Sequence, residues 1–185
     1  MDITTKRAAE YAPCAVSALA AGLAAYFFVF TNKLLNLDEI AGLFGKGESI
    51  SSGRWALALT SYVFPDISMP WINGVLSLLM LTAAACLTVR IFEIKSTLWQ
   101  ALLGALLVVF PSQIVTFSYM FTCAPYALSV LLAVGSVYVL LRRKGRRRYI
   151  AAGAMLALSL GIYQAYLSVA ASWCVVYLIK RTLDG

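Results

Sequence analysis

Four stretches of this sequence carry no charged side chain: 11–32, 67–89, 96–141 and 149–179. A helix needs about 20 apolar residues, each rising 1.5 Å, to cross the hydrocarbon of a bilayer. The first two runs fit one helix apiece. The third, 46 residues long and interrupted by Pro111 and Pro125, has room for two. The fourth, of 31 residues, is too long for one upright span and too short for two full ones. The chain is 62% hydrophobic, where soluble domains are about half apolar. These runs define an all-α, polytopic membrane helical bundle. The expected transmembrane segments are 13–31, 71–89, 98–117, 124–141, and 149–179 as one long helix or a re-entrant pair. Residues 32–70 form a long polar loop.

Charge placement orients the bundle. Six of the fifteen basic residues lie in Arg142–Arg148, RRKGRRR, a short loop between apolar runs that the positive-inside rule puts in the cytoplasm. Lys6, Arg7, Arg90 and Lys95 then fall on the same side. The N-terminus is cytoplasmic, its first span reads as a retained signal anchor without a cleavage site, and loop 32–70 is extracytoplasmic. The net charge of +7 is accounted for by topology, with contact to anionic membrane lipid as an addition, and gives no reason to expect nucleic acid. The cysteines Cys14, Cys86, Cys123 and Cys174 are widely separated, without a CxxC, and read as packing residues. The sequence contains no histidine, which excludes imidazole ligands and histidine-based triads.

Within the first span Ala20, Gly22 and Ala24 suggest a small-residue packing face. In the loop, Trp55, Ala58, Leu59, Tyr62 and Val63 recur at helical spacing and predict an interfacial amphipathic helix that stops at Pro65-Asp66. The uncharged PSQIVTFSYMFTCAP reads as a partly covered outer turn. The last run is punctuated by Gly161-Ile162-Tyr163-Gln164. A turn there would return Lys180 and Arg181 to the cytoplasm, which the charge rule favours. Gln164 is either interhelical glue or a cavity-lining group.

The longest polar interval, NLDEIAGLFGKGESISSGRW (36–55), carries the chemistry. Acids in an exposed loop are ordinarily solvated and inert. Asp38 and Glu39, however, follow the first span closely and share their loop with Arg54, a cation able to clamp a phosphate. A carboxylate and a phosphate-binding cation at a membrane surface suit glycosyl transfer from a lipid-phosphate sugar. The acid takes the acceptor proton and the cation steadies the departing phosphate. Trp55, Tyr119, Tyr163 and Gln164 are candidate cavity-lining residues, as are Tyr126 and Tyr166, although aromatics in membrane helices mostly pack.

N-x-D-E after the first span, Gly53-Arg54-Trp55, the proline-containing outer turn and the Gly161–Gln164 break resemble the O-antigen-modifying glucosyl transferase II family of the GT-C superfamily. The resemblance covers nearly all of the chain and the N-terminal portion of a typical member, so a fragment of a longer chain is expected. It implies a bacterial inner- or plasma-membrane enzyme. Such an enzyme moves glucose or a similar hexose from a polyprenyl-phosphate donor to an extracytoplasmic lipid-linked glycan, such as O-antigen or another cell-surface polysaccharide. Carried over, Asp38 matches the catalytic acid, with Glu39 beside it, and Arg54 the donor-phosphate residue. The chain departs from the pattern at Cys123-Ala124-Pro125-Tyr126, where many members place an acid. No cofactor or metal is required, although adjacent acids can hold a divalent cation. The alternative is a non-catalytic membrane module: a transporter or flippase-like subunit, or a truncated remnant of such an enzyme.

Overall fold

The computed structural model describes residues 10–34, 36–44, 52–60, 62–64 and 68–185. Among these the chain is helical: α1 Ala12–Thr31, α2 Leu37–Phe44, α3 Trp55–Thr60, α4 Pro70–Phe92, α5 Thr97–Val109, α6 Pro111–Ser118, α7 Cys123–Arg142, α8 Arg147–Ile162 and α9 Leu167–Leu183. A single 3-10 turn, Gln164–Tyr166, joins the last two. The helices α1, α4 and α7 are each long and apolar enough to cross a membrane, and α5 with α6 make a fourth, bent candidate.

The long helices alternate in direction. Phe30 of α1 meets Gly74 of α4 while Cys14 packs with Ala85 and Val89, so α1 and α4 are antiparallel. Ser17 donates to the Ala101 carbonyl and Tyr26 to that of Val108, so α5 runs parallel to α1. Ser77 lies against Cys123 and Arg142 against Glu93, which sets α7 parallel to α4. Ser129 of α7 and Ser159 of α8 each donate to the other's carbonyl at 2.8 Å, and α8 climbs back. Trp173 of α9 donates to Thr88 at 2.9 Å, so α9 descends again. One end of the bundle therefore carries α2, α3, α6 and the Gln164–Tyr166 turn. The opposite end carries Arg90, Glu93, Arg142–Arg148 and Lys180.

The core is apolar, but the exposed flank is apolar as well, unlike that of a protein in water. Val16, Phe28, Ile72, Leu98, Leu106 and Val175 are exposed, whereas Ser77, Thr88, Gln100, Ser129, Ser136 and Ser159 are buried. In lipid this is the favourable arrangement. Apolar side chains face hydrocarbon and polar ones bond between helices or back to their own turn.

Three local features differ from the sequence reading. The buried face of α1 is Cys14, Ala18, Gly22, Tyr26 and Phe30, and Ala20 and Ala24 are exposed. Residues two apart cannot share a helical face, while an i, i+4 row forms one ridge. On that ridge a Cβ at Gly22 would come within 2.3 Å of Leu78 and 2.8 Å of Val108, so a larger residue would push both side chains aside.

The segment 98–117 is bent by 41° between α5 and α6. Phe110 takes φ −59, ψ 141 before Pro111, because proline disfavours the α conformation in its predecessor and lacks the N–H to continue the ladder. The loop helix α3 is only six residues. Leu59, Tyr62 and Val63 of its apolar stripe stay exposed, Trp55 is 47% exposed with its indole against Gly161, and Ala56 and Leu57 are buried. The Pro65-Asp66 stop lies outside the described residues.

Candidate functional site at the end of the bundle

Two clusters occupy the end opposite the basic loop. The first is built by α3 and the α8–α9 break. Gly53 sits at φ +78, a conformation that favours glycine, and a Cβ there would lie 2.4 Å from Nε2 of Gln164. Gln164 Nε2 in turn donates to the Ser52 carbonyl at 3.4 Å. Next in sequence, Arg54 Nη1 donates to the Tyr126 hydroxyl at 3.3 Å, and its guanidinium carbon stands 4.9 Å from the centre of the Tyr163 ring. Tyr126 and Tyr163 stack at 4.9 Å, and Tyr163 meets Tyr166 edge-on at 5.5 Å. Then comes Trp55, whose indole rests on Gly161 so closely that a Cβ would be 2.5 Å from the ring. Beneath them Ala56, Leu57 and Ile162 form a small apolar core. Each residue of the Gly-Arg-Trp signature thus has its own receptor in or beside Gly161–Gln164.

The second cluster surrounds α2. Asn36 accepts from the Asp38 amide at 3.0 Å through Oδ1 and donates to the Ser118 carbonyl at 3.3 Å. Asn36 is the N-cap of α2, and the acids Asp38 and Glu39 stand in its first turn, where they meet the positive end of the helix dipole. The N-x-D-E signature is therefore also a helix start, a signal the sequence reading passed over.

The two acids part company here. Glu39 is only 4% exposed and accepts from the Ser68 amide at 2.9 Å and the Ser68 hydroxyl at 2.6 Å, with Lys33 Nζ 3.9 Å away. Asp38 is exposed.

Of the sequence candidates, Arg54, Trp55, Tyr163 and Gln164 come together. Tyr119 caps α6 with its ring 6.3 Å from that of Phe121. Among the described residues no ion pair joins Asp38 or Glu39 to Arg54, and no three His, Cys, Asp or Glu side chains gather to hold a metal. Ser68, which holds Glu39, carried no sequence signal, because its place is set by the chain's return to α4. Beside α2 an apolar cleft of about 470 Å³ opens between α1 and α6, with Asn32, Asn36 and Ser118 among its lining residues. The arrangement offers an exposed carboxylate, a half-buried guanidinium held by neutral rings, and an apolar cleft beside α2.

A bundle of apolar helices with an apolar exposed flank and its charged groups gathered at its two ends is a helical membrane protein. Residues 27–185 match the family model of glucosyl transferase GtrII. The chain belongs to that family, and with it to the transferases. No curated protein and no solved structure matches it.

Proposed function

We propose that this protein acts as a GT-C-type hexosyltransferase, moving glucose or a similar hexose from a polyprenyl phosphate to a lipid-linked glycan outside the cytoplasmic face of a bacterial inner or plasma membrane. The orientation follows from the basic end, Arg90, Lys95 and Arg142–Arg148, facing the cytoplasm. Loop 32–70 then faces outward. O-antigen or another cell-surface polysaccharide is the acceptor class.

The observation that carries the reading is the state of Arg54. It is half-buried and held by the Tyr126 hydroxyl and the Tyr163 ring, and among the described residues it has no carboxylate partner. A fixed cation that no carboxylate among the described residues compensates suits an anionic leaving group. In the reaction an acceptor hydroxyl attacks the anomeric carbon and its oxygen forms the new glycosidic bond. The bond from that carbon to the phosphate oxygen breaks, polyprenyl phosphate leaves with the electron pair beside Arg54, and the proton passes to Asp38. Asp38 is exposed and free to take that proton. Glu39, with both oxygens engaged by Ser68, anchors α2 instead.

The test is transfer from a glucosyl polyprenyl phosphate in membranes containing the intact protein. Asp38→Asn should lose at least about 100-fold in kcat, the scale of general-base catalysis, with unchanged protein abundance. Transfer at the wild-type rate removes Asp38 from the mechanism. An impermeant maleimide that labels Asp38→Cys only from the cytoplasmic side overturns the orientation.

A further inference from the structure

The charge-free run 149–179 is long enough to be one helix, yet it breaks where α8 ends, and Tyr163 is extended at φ −153, ψ 115 before the Gln164–Tyr166 turn. Its amide still donates to Ser159 at 2.9 Å, so the ladder of α8 is complete and the break begins with the Tyr163 backbone. That departure from helix places the ring under Arg54, which lies more than a hundred residues earlier in the chain. We infer that Tyr163 and Tyr126 are positioning residues for Arg54, so that the α8–α9 break supplies part of the donor-phosphate site. The inference rests on the reading that Arg54 receives that phosphate.

The physical case concerns how a cation can be held without being neutralised. A loop arginine loses side-chain freedom when it is fixed on a ligand. A carboxylate partner fixes it in advance but uses the charge. The Tyr163 face attracts the guanidinium through its quadrupole, and the Tyr126 hydroxyl accepts from Nη1 alone. The remaining guanidinium N–H groups keep their capacity for a two-point phosphate contact. Preorganisation of this kind is read chiefly in donor affinity, because the donor phosphate is anionic before the bond breaks. Gln164 and Gly161 hold the Ser52 and Trp55 flanks, which fixes the backbone on either side of Arg54.

The experiment measures donor KM and kcat with a short-chain glucosyl polyprenyl phosphate in membranes carrying the intact protein. Tyr163→Leu should raise donor KM about tenfold, with any fall in kcat smaller than that. Tyr163→Phe, which keeps the ring, should restore KM. Tyr126→Phe should raise KM about tenfold, the low end for one hydrogen bond to a charged group. In an Arg54→Ala background, Tyr163→Leu should change nothing further. The inference is overturned if Tyr163→Leu raises KM by the same factor with and without Arg54, if Tyr163→Phe is as impaired as Tyr163→Leu, or if Tyr163→Leu leaves KM unaltered. Arg54→Ala alone reports on the underlying reading: an unchanged donor KM in that variant removes the phosphate role, and the positioning role falls with it.

Discussion

Replacing Gly161 by alanine places a methyl group 2.5 Å from Cε2 and 2.8 Å from Nε1 of the Trp55 indole. The ring is rigid and must retreat by roughly 0.9 Å to reach ordinary contact at 3.4 Å, and overpacking of this kind costs about 1–3 kcal/mol. Alanine also favours a helix over glycine by about 0.8–1.0 kcal/mol, so the net effect of Gly161→Ala is a loss of roughly 0–2 kcal/mol. Gly153 is an internal control on the same helix. It lies within α8, and a Cβ there meets nothing within 4 Å. Gly153→Ala should therefore show the propensity gain alone, up to about 1 kcal/mol. Unfolding in mixed micelles, by raising the mole fraction of dodecyl sulfate, gives both differences on one scale. Trp55→Ala should abolish the penalty of Gly161→Ala and turn it into a gain. Equal stabilisation by the two alanines, or a Gly161→Ala penalty that persists without Trp55, refutes the close seat of the indole on α8.

Glu39→Leu should destabilise by about 1–3 kcal/mol, because the buried Ser68 amide is left without its acceptor. The same unfolding assay measures this, and transfer by the surviving folded protein should keep its kcat, separating Glu39 from Asp38. At the basic end, Arg142 donates to Glu93 and to the carbonyls of Arg90 and Ile91, closing the last turn of α4. The Arg142 hydrogen bond and charge hold the Glu93 carboxyl below its ordinary range. The bridge therefore contributes fully above the unfolded carboxylate value of about 4.3 and is lost as pH falls through the depressed folded value. The stability gap between wild type and Arg142→Ala should accordingly narrow on acidification below about pH 4; a gap that widens there contradicts the pairing.

The Gly53-Arg54-Trp55 signature shows why part of the site was legible and part was not. Glycine, arginine and tryptophan in a polar loop announce a special backbone and a cation. Nothing in their spacing says that a helix break 112 residues on, measured from Ser52 to Gln164, is their receptor. The two acids make the same point. Asp38 and Glu39 are adjacent, so they leave the helix about 100° apart. Which of them is buried depends on where Ser68 passes as the chain returns to α4. Pro111 advertised a bend, but the apolar run alone left its direction open.

The sequence by itself determined the class of molecule: charge-free runs of spanning length must satisfy their backbone internally in lipid and so become helices, and the order of short motifs carried the family. Tertiary structure alone decided which side chains share the polar end, because contacts between residues a hundred positions apart arise from packing of small residues such as Gly22, Gly104 and Gly161. Local periodicity does not encode packing of that kind.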